Sequence, residues 1–163
     1  KYKKMIGYLP ESNALYEDMY VKEYLSFIAA GHEIKNPTNR IQEVIEQTGL
    51  GLMQTKKINQ LSKGYKQRVG MAAAIIHSPI LLILDEPTAG LDPNQLTEIR
   101  ALIKSLSANA MILFSTHILQ EVTAICDRVL VLNKGKLVAN DGIAALAQKH
   151  EAGLEEIFKM LTH

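Results

Sequence analysis

Two adjacent carboxylates, Asp85 and Glu86, directly follow an unbroken apolar run at residues 80–84. Acidic side chains beside a buried strand are costly unless a cation or a reaction uses them. Because successive strand residues point to opposite faces, the pair predicts two different tasks. One carboxylate would hold Mg²⁺ through water, and the other would orient and deprotonate an attacking water. Two solvated loop acids, with Asp85 as a cap, are the alternative; the sequence on both sides favours the catalytic interpretation.

A histidine, His117, ends a Ser-Thr-His tripeptide that follows a second apolar run at residues 111–114. Open parallel sheets bind their ligands beyond the carboxyl ends of the strands, so both runs place polar residues where a ligand is expected. A neutral imidazole there could hydrogen-bond a γ-phosphate or position the water. A helix-terminus histidine with no ligand is the alternative. The matching positions of His117 and Asp85 after their strands favour a functional role.

A third polar element, Ser62-Lys63-Gly64, precedes an apolar stripe of helical spacing within residues 69–76. Ser62 is well suited to cap that helix. The N–H groups and the dipole of a helix N-terminus attract anions. By itself the pattern usually indicates a cap, so an anion-binding interpretation depends on the neighbouring motifs.

The elements that position these residues follow from apolar periodicity. A short strand at residues 5–9 ends at Pro10, and helical spacing covers residues 20–48, where Pro37 can open a second helix and Gly49 can close it. Residues 80–84 and 111–114 are predicted to be buried strands of a parallel sheet, and the length of the first run indicates burial on both faces.

Later elements alternate helix and strand. Asp92 and Pro93 are the predicted N-cap and first residue of a helix, with Gln95 completing a capping box. A strand, an amphipathic helix from about residue 118, a hairpin around residues 133–136 and two helical pieces follow. The order predicts an α/β layer with a helical subdomain in front.

Composition excludes several classes of protein. The chain has 163 residues, of which 47% are hydrophobic and 21% charged, and its net charge is +1. This is ordinary globular composition without the basic excess of a protein whose main partner is nucleic acid. No apolar run is long enough to span a bilayer and nothing resembles a signal peptide, so any membrane connection is expected through another protein. A single cysteine, Cys126, rules out an internal disulfide and fits a reducing compartment.

Taken together, four ordered motifs resemble the ATP-binding cassette (ABC) ATPase family. They are Leu-Ser-Lys-Gly-Tyr-Lys-Gln-Arg at 61–68, the apolar strand with Asp-Glu-Pro at 81–87, Ala-Gly-Leu-Asp at 89–92 and Ser-Thr-His at 115–117. The similarity extends over essentially the whole chain. Tyr-Leu-Pro-Glu at 8–11 and Leu-Ser-Lys-Gly-Tyr at 61–65 resemble export-type cassettes, including those of gliding motility and drug export. The resemblance implies an incomplete P-loop NTPase-like parallel sheet. A helical signature subdomain would occupy residues 10–78, and the C-terminal part of the nucleotide-binding core, with its hairpin and helices, residues 79–163.

The resemblance also implies roles by position. Glu86 would be the general base and His117 the switch histidine at the γ-phosphate. Asp85 would be the Walker B acid on the Mg²⁺ side, with Glu11 as a second metal-side residue where the family usually has glutamine. The signature and D-loop residues would meet the nucleotide, ATP, held by an opposite subunit: Ser62, Lys63, Gly64, Tyr65 and Asp92.

This chain departs from the family pattern in its signature and phosphate loop. Lys63 replaces the first glycine of the signature, and Tyr65 replaces its closing glutamine. The Lys63 side chain could add positive charge toward a phosphate or face solvent. No Gly-x-x-x-x-Gly-Lys-Ser/Thr motif occurs in the 163 residues. We therefore expect a fragment of a longer ATPase that neither binds ATP tightly nor hydrolyses it alone.

The expected partners are a membrane-spanning transporter subunit, docked near the helices of residues 20–48, and a second ATPase subunit arranged head to tail. Such a protein is expected to be cytoplasmic, at the inner face of the cell membrane, and no nucleic acid is expected. The alternatives are a non-transport ABC ATPase of DNA repair or translation, and a non-catalytic interaction module. Without the phosphate-loop half, the strand at 80–84 would expose an edge or an apolar face, which predicts self-association.

Overall fold

The computed structural model describes residues 2–162, apart from the side chain of residue 3. The chain groups into two compact units, the first ending at Ser115 and the second beginning at Thr116. This division differs from the predicted subdomain boundary after residue 78, which stays a prediction.

The first unit is built on a three-stranded sheet of order β1-β2-β3, in which both strand pairs are parallel. Its strands are β1 (Ile6–Leu9), β2 (Leu81–Asp85) and β3 (Met111–Ser115). Leu9 is level with Leu84, and Asp85 is level with Ser115, so the carboxyl ends of the strands share one edge. The predicted α/β fold with a parallel sheet is confirmed.

The two sides of this sheet differ in exposure. Leu82 and Leu84 on β2 are fully buried. The opposite side carries Tyr8, Ile83, Met111 and Leu113, of which Tyr8 is 56% and Met111 73% exposed. We call these four residues the open sheet face.

Three expectations about these strands are therefore corrected. Burial of residues 80–84 on both faces and full burial of residues 111–114 are both wrong, because alternate residues of a strand face opposite sides and one side here is accessible. The expected exposed edge at residues 80–84 is wrong as well, because β2 pairs on both of its sides. The alternative expectation, an exposed apolar face, is confirmed by the open sheet face.

A helical insertion separates β1 from β2. It contains α1 (Val21–Gly31), α2 (Pro37–Gln47) and α3 (Lys63–Ile75). Pro37 is the first residue of α2, and Gly49 follows the helix with a φ of 68°, as expected for a residue that ends a helix. The three helices bury an apolar core that includes Leu25, Ile45 and Val69.

Helix α4 (Pro93–Leu106) connects β2 to β3. It buries Ile99 and Ile103 on one face, at the predicted helical spacing. The Asp92 side chain caps the helix by accepting the N–H groups of Asn94 and Gln95 at 3.0 and 2.9 Å. The predicted capping box is wrong within the described residues, because the Gln95 side chain lies against Gly64 instead of closing it.

The second unit contains α5 (Leu119–Ile125), the antiparallel hairpin of β4 (Arg128–Asn133) and β5 (Lys136–Gly142), and helices α6 (Ile143–His150) and α7 (Leu154–Thr162). Positive φ values at Lys134 and Gly135 give the hairpin the tight turn that the sequence predicted. The Asn133 side chain donates to the Leu161 and Thr162 carbonyls and ties the turn to α7. Across residues 2–162, no helix has the length and apolarity needed to cross a bilayer.

Candidate active site

The Ser115 hydroxyl, at the end of β3, joins the two predicted catalytic acids. Its Oγ donates to Asp85 Oδ1 at 2.6 Å and accepts the backbone N–H of Glu86 at 3.1 Å. The parallel register makes this possible by setting Ser115 beside Asp85. One carboxylate oxygen of Asp85 is thereby oriented, and the backbone that carries Glu86 is fixed relative to it.

Glu86 lies at the point where the chain leaves the sheet. Its φ of 45° is in the left-handed region, which is uncommon outside glycine and is found where the surrounding structure holds the backbone in place. The next residue is held as well, since the buried Gln67 side chain of α3 donates to the Pro87 carbonyl at 2.9 Å. The positive φ thus turns the chain sharply directly after Asp85.

The signature residues form the N-terminus of α3. Ser62 is the N-cap, and its hydroxyl accepts the Tyr65 N–H at 3.4 Å. Gly64 is buried, and a methyl group there would come within 3.0 Å of the Gln95 side chain. The exposed Ser62 and Lys63 leave this helix end accessible to an anion.

The sequence left two orientations for the Lys63 side chain, toward a phosphate or toward solvent. Its ammonium group lies over Gly90, so close that a Cβ at that glycine would collide with it. Gly90 has a φ of 68° and belongs to the loop between β2 and α4. Lys63 thus adds its positive charge beside the loop that connects Glu86 to Asp92.

Two further residues were predicted from the sequence, one just past the end of β1 and one at the start of α4. Glu11 follows β1 by two positions, at the strand edge where Asp85 ends β2. Asp92 is exposed, and its Oδ1 is engaged in capping α4. Asp92 therefore stabilises the N-terminus of α4, and its predicted contact with a second subunit across a dimer stays a prediction.

His117 belongs to the second unit, in the turn that precedes α5. The turn is held by Thr116, whose hydroxyl accepts the Ile118 N–H at 3.1 Å and donates to Glu121 at 3.2 Å. Glu121 is fully buried, while His117 is exposed. The local structure therefore presents the imidazole to solvent on a fixed turn, and its role at a γ-phosphate stays a prediction.

The oxygen-rich donor set suits Mg²⁺ held largely through water. Over the described part of the chain, no group of three or more His, Cys, Asp or Glu is arranged to hold a metal ion. Mg²⁺ commonly keeps several waters and takes one or two carboxylates together with substrate phosphates. With Oδ1 bonded to Ser115, Asp85 offers Oδ2 for such a water. Asp85 fits the predicted metal-side role, and Glu11 adds a carboxylate at the same strand edge.

Sequence reasoning missed the residues that orient the site. From the sequence, Ser115 was assigned no role of its own and was treated only as part of the Ser-Thr-His tripeptide. A hydroxyl residue that ends one strand, level with an acid that ends the neighbouring parallel strand, does indicate a possible hydrogen bond between them. Gln67 and Gln95 gave no such signal, because their partners, the Pro87 carbonyl and Gly64, are distant in sequence. These contacts depend on tertiary packing.

The chain is similar to several known proteins. The family model described as ABC transporter matches residues 1–89. A Nostoc ABC transporter ATP-binding protein is 42% identical over 149 residues, covering 88% of this chain and 44% of that protein. A Bacillus subtilis ABC transporter ATP-binding protein is 34% identical over 154 residues, covering 93% of this chain and 52% of that protein. The chain thus spans about half the length of these curated relatives.

Another relative and a solved structure extend the comparison. The linearmycin resistance ATP-binding protein of B. subtilis is 34% identical over 142 residues, covering 85% of this chain and 46% of that protein. The solved structure of an ATP-binding subunit of an ABC transporter superposes with a TM-score of 0.84 at 28% identity, covering 99% of this chain and 70% of that one.

Proposed function

The chain belongs to the ABC transporter family, and we propose that it supplies the catalytic acids and the signature of an ATP-hydrolysing subunit that powers transmembrane transport. The observation that carries the proposal is the Ser115 hydroxyl, which bonds to Asp85 and to the Glu86 backbone. This contact supports separate roles for the two acids. Asp85 would orient a magnesium-bound water, and Glu86 would accept a proton from the attacking water.

The signature would act on a nucleotide held by another subunit. Helix α3 directs its exposed N-terminus, with Ser62 and the Lys63 ammonium group, away from its own buried core. A positive helix end suits the negative charge on the phosphates of ATP. Gly64 leaves room for the Gln95 side chain to pack at this end. We propose a head-to-tail dimer in which Asp92 lies near the dimer interface and His117 contacts the γ-phosphate of ATP.

The isolated chain is proposed to be inactive in ATP hydrolysis. The family cradles the phosphates in a glycine-rich loop with a lysine, and the 163 residues contain no such motif. The positive end of α3 alone provides too few contacts to hold Mg-ATP tightly.

Calorimetry of Mg-ATP with the purified chain tests this point, and no saturable heat is expected. A fusion that adds a P-loop-bearing segment of a family relative should then hydrolyse ATP. In this fused cassette, Glu86→Gln should lower kcat by about a hundredfold, as expected for loss of a general base. Glu46→Gln, on the exposed side of α2, is the matched control. Unchanged kcat in the Glu86 variant would refute the assignment, and micromolar ATP binding by the chain alone would refute its inactivity.

The membrane-spanning partner is proposed to dock on the helical insertion. Two exposed rings pack there beside a buried one, since the Tyr16 ring lies 5.5 Å from the exposed Phe27 ring and 6.1 Å from the buried Tyr24 ring. Phe27 is 51% and Tyr16 55% exposed, and exposed aromatic clusters are common at protein interfaces. Through this contact the protein would be held at the inner, cytoplasmic face of the membrane. We propose an export role from the resemblance of residues 8–11 and 61–65 to export-type cassettes, and the relative named for linearmycin resistance is compatible with it.

The docking proposal is tested by replacing one of these rings. Phe27→Ser in the fused cassette should leave ATP hydrolysis in solution unchanged and reduce co-purification with the membrane-spanning subunit of the relative that supplies the P-loop segment. Leu52→Ser, at an 87% exposed residue outside the cluster, is the control. Equal co-purification of the Phe27 variant and the unmodified protein would contradict the proposed docking surface.

A further inference from the structure

A cleft lies at the opposite end of the strands from the proposed catalytic acids. It has a volume of about 450 Å³ and opens where β1 begins and α3 ends. The Met5 carbonyl accepts the Ile80 N–H at 3.0 Å nearby, which places the cleft beside the amino ends of β1 and β2. The residues that carry its chemistry are Lys4, His32, Lys35, Asn36, Arg40 and His77.

The lining is rich in positive charge. Arg40 pairs with Glu43, the only carboxylate lining the described cleft, at 2.9 Å. Lys4 pairs with Glu33 at 2.8 Å on the exposed rim. Lys35 forms no ion pair with the residues that the structure describes, so its charge is left for a ligand. Because cations exceed carboxylates in the lining, an anion is the expected occupant.

Two histidines form one wall of the cleft. The His32 and His77 rings are stacked, with centroids 4.1 Å apart and planes within 2° of each other. His77 Nε2 lies 3.1 Å from the Ile6 carbonyl, so this nitrogen carries the hydrogen. The other nitrogen, Nδ1, is buried and has no hydrogen-bond partner in the described chain. Burial and the neighbouring His32 and Arg40 lower the pKa of His77, so the ring is neutral at neutral pH and Nδ1 is an acceptor.

The polar side chains around Asn36 add further donors. Asn36 precedes α2, but its side chain makes no capping hydrogen bond in the described structure, and the first turn of α2 contains no acidic residue. The Asn36 and Asn39 amides line the cleft together with the Ser78 hydroxyl. Ile34 and Ile76 provide an apolar part of the lining. The site therefore combines many donors, one buried acceptor and a small apolar surface.

We propose that this cleft binds a phosphate monoester. A monoester near neutral pH carries three terminal oxygens, with a charge of about −1.5 to −2, that can accept hydrogen bonds from Lys35 and the amides. A carboxylate offers only two oxygens and a single charge. The volume exceeds that of a phosphate ion, so the apolar residues would contact the organic part. The site is separate from the nucleotide edge and does not depend on the proposed ATPase activity.

The ligand could be a free phosphorylated metabolite or a lipid headgroup, which share this chemistry. Glycerol 3-phosphate is the soluble probe, titrated into the full chain by calorimetry at low salt. Vesicles of phosphatidylcholine with and without phosphatidic acid are the lipid probe. Saturable binding of either probe is the expected result, and binding of the vesicles alone would identify a lipid source. Failure of both probes to bind would overturn the proposal.

Two substitutions test whether the phosphate monoester binds in this cleft. Lys35→Gln should weaken binding about tenfold, the size of one charge-assisted contact. Lys22→Gln, an exposed lysine on α1 outside the cleft, should leave it unchanged. Equal weakening by both would indicate non-specific surface charge and overturn the proposal. As a second readout, amide resonances of Asn36 and Asn39 should shift in ¹H–¹⁵N spectra, whereas shifts confined to residues 62–65 would place the anion at the signature helix and also overturn it.

Discussion

At the scale of single residues, the candidate site depends on side chains that orient the acids rather than on the acids alone. Ser115 bonds to the Asp85 carboxylate and to the Glu86 backbone, and Gln67 holds the next carbonyl. Such supporting contacts keep reacting groups within the narrow range of positions that catalysis requires. Changing them should therefore alter turnover while leaving the acids in place.

Ser115→Ala tests this dependence directly. In the fused cassette we expect kcat to fall about tenfold, because Asp85 loses a charge-assisted hydrogen bond and the Glu86 backbone loses its acceptor. The KM for ATP should change less than about twofold, because the P-loop that binds the phosphates of ATP lies in the added segment. Ser107→Ala is the matched control, because that hydroxyl donates only to the Lys104 carbonyl at the end of α4. An unchanged kcat would show that Ser115 does not position the acids.

Gly90→Ala should destabilise the fold by about 1–3 kcal/mol, the usual cost of a side chain at a left-handed position that is also crowded. The φ of 68° disfavours any Cβ, and the Lys63 ammonium group occupies the space. Gly31→Ala is the control, because a Cβ there would meet no described atom outside its own helix within 4 Å, and its φ is not positive. Thermal unfolding of the two variants measures the difference. Equal melting temperatures would contradict the close approach of Lys63.

At the scale of elements, Arg68 joins three helices. It lies on α3, donates to the Thr48 carbonyl after α2 at 2.8 Å and pairs with Glu98 on α4 at 2.6 Å. Its side chain is only 15% exposed, whereas that of Glu98 is 61% exposed. The buried end of this contact, at the Thr48 carbonyl, therefore contributes more to stability than the exposed ion pair.

Arg68→Met should lower the free energy of unfolding by about 1–3 kcal/mol, because the Thr48 carbonyl loses its buried donor. Glu98→Gln should cost less than about 1 kcal/mol, since the pair is screened by solvent. Urea unfolding measures both, with Lys104→Met on the last turn of α4 as the control. Equal losses for Arg68→Met and Glu98→Gln would mean that the ion pair, and not the carbonyl contact, carries the stability.

The sequence predicted the elements more fully than their burial. Local signals are sufficient for Pro37, Asp92 and the turn at Lys134 and Gly135, because caps and tight turns depend on the residues within them. The same holds for the amphipathic stripe of α4, where Ile99 and Ile103 are buried as its spacing indicated.

Burial of the strands could not be predicted, because it depends on what covers each face of the sheet. An apolar run such as residues 80–84 has the same composition whether one or both of its faces are covered.

In the candidate site, the motif residues were found from sequence, whereas Gln67 and Gln95 were missed because their contacts form only in the folded chain. Nothing about the order of residues near Gly64 indicates that a glutamine from α4 packs there.

At the scale of the whole molecule, the open sheet face predicts self-association of the chain. Met111 and Leu113 on the edge strand β3 are 73% and 47% exposed, and Tyr8 shares their side of the sheet. Adjacent exposed apolar side chains favour burial against a second copy. Sedimentation velocity should show a mean mass that rises with concentration.

Replacement of both exposed β3 residues, Met111→Lys with Leu113→Lys, should return the chain to a monomer, because charge on this face opposes association. Leu52→Lys is the control, since that residue is 87% exposed in the helical insertion. A monomer at every concentration of the unmodified chain would contradict the prediction, as would loss of association in the Leu52 variant.

The register of the sheet also has a consequence for the order in which the chain folds. Ile6 pairs with Leu81 across the entire helical insertion, whereas Leu81 pairs with Met111 across α4 alone. Closing the longer loop costs more chain entropy, and contacts between distant residues slow folding. The β2-α4-β3 unit should therefore assemble first, and β1 should join it only after α1, α2 and α3 have formed. In pulse-labelled hydrogen exchange, the amides of β3 would then gain protection before those of β1, so the slowest step in folding would be the one that brings Glu11 to the strand edge where Asp85 lies.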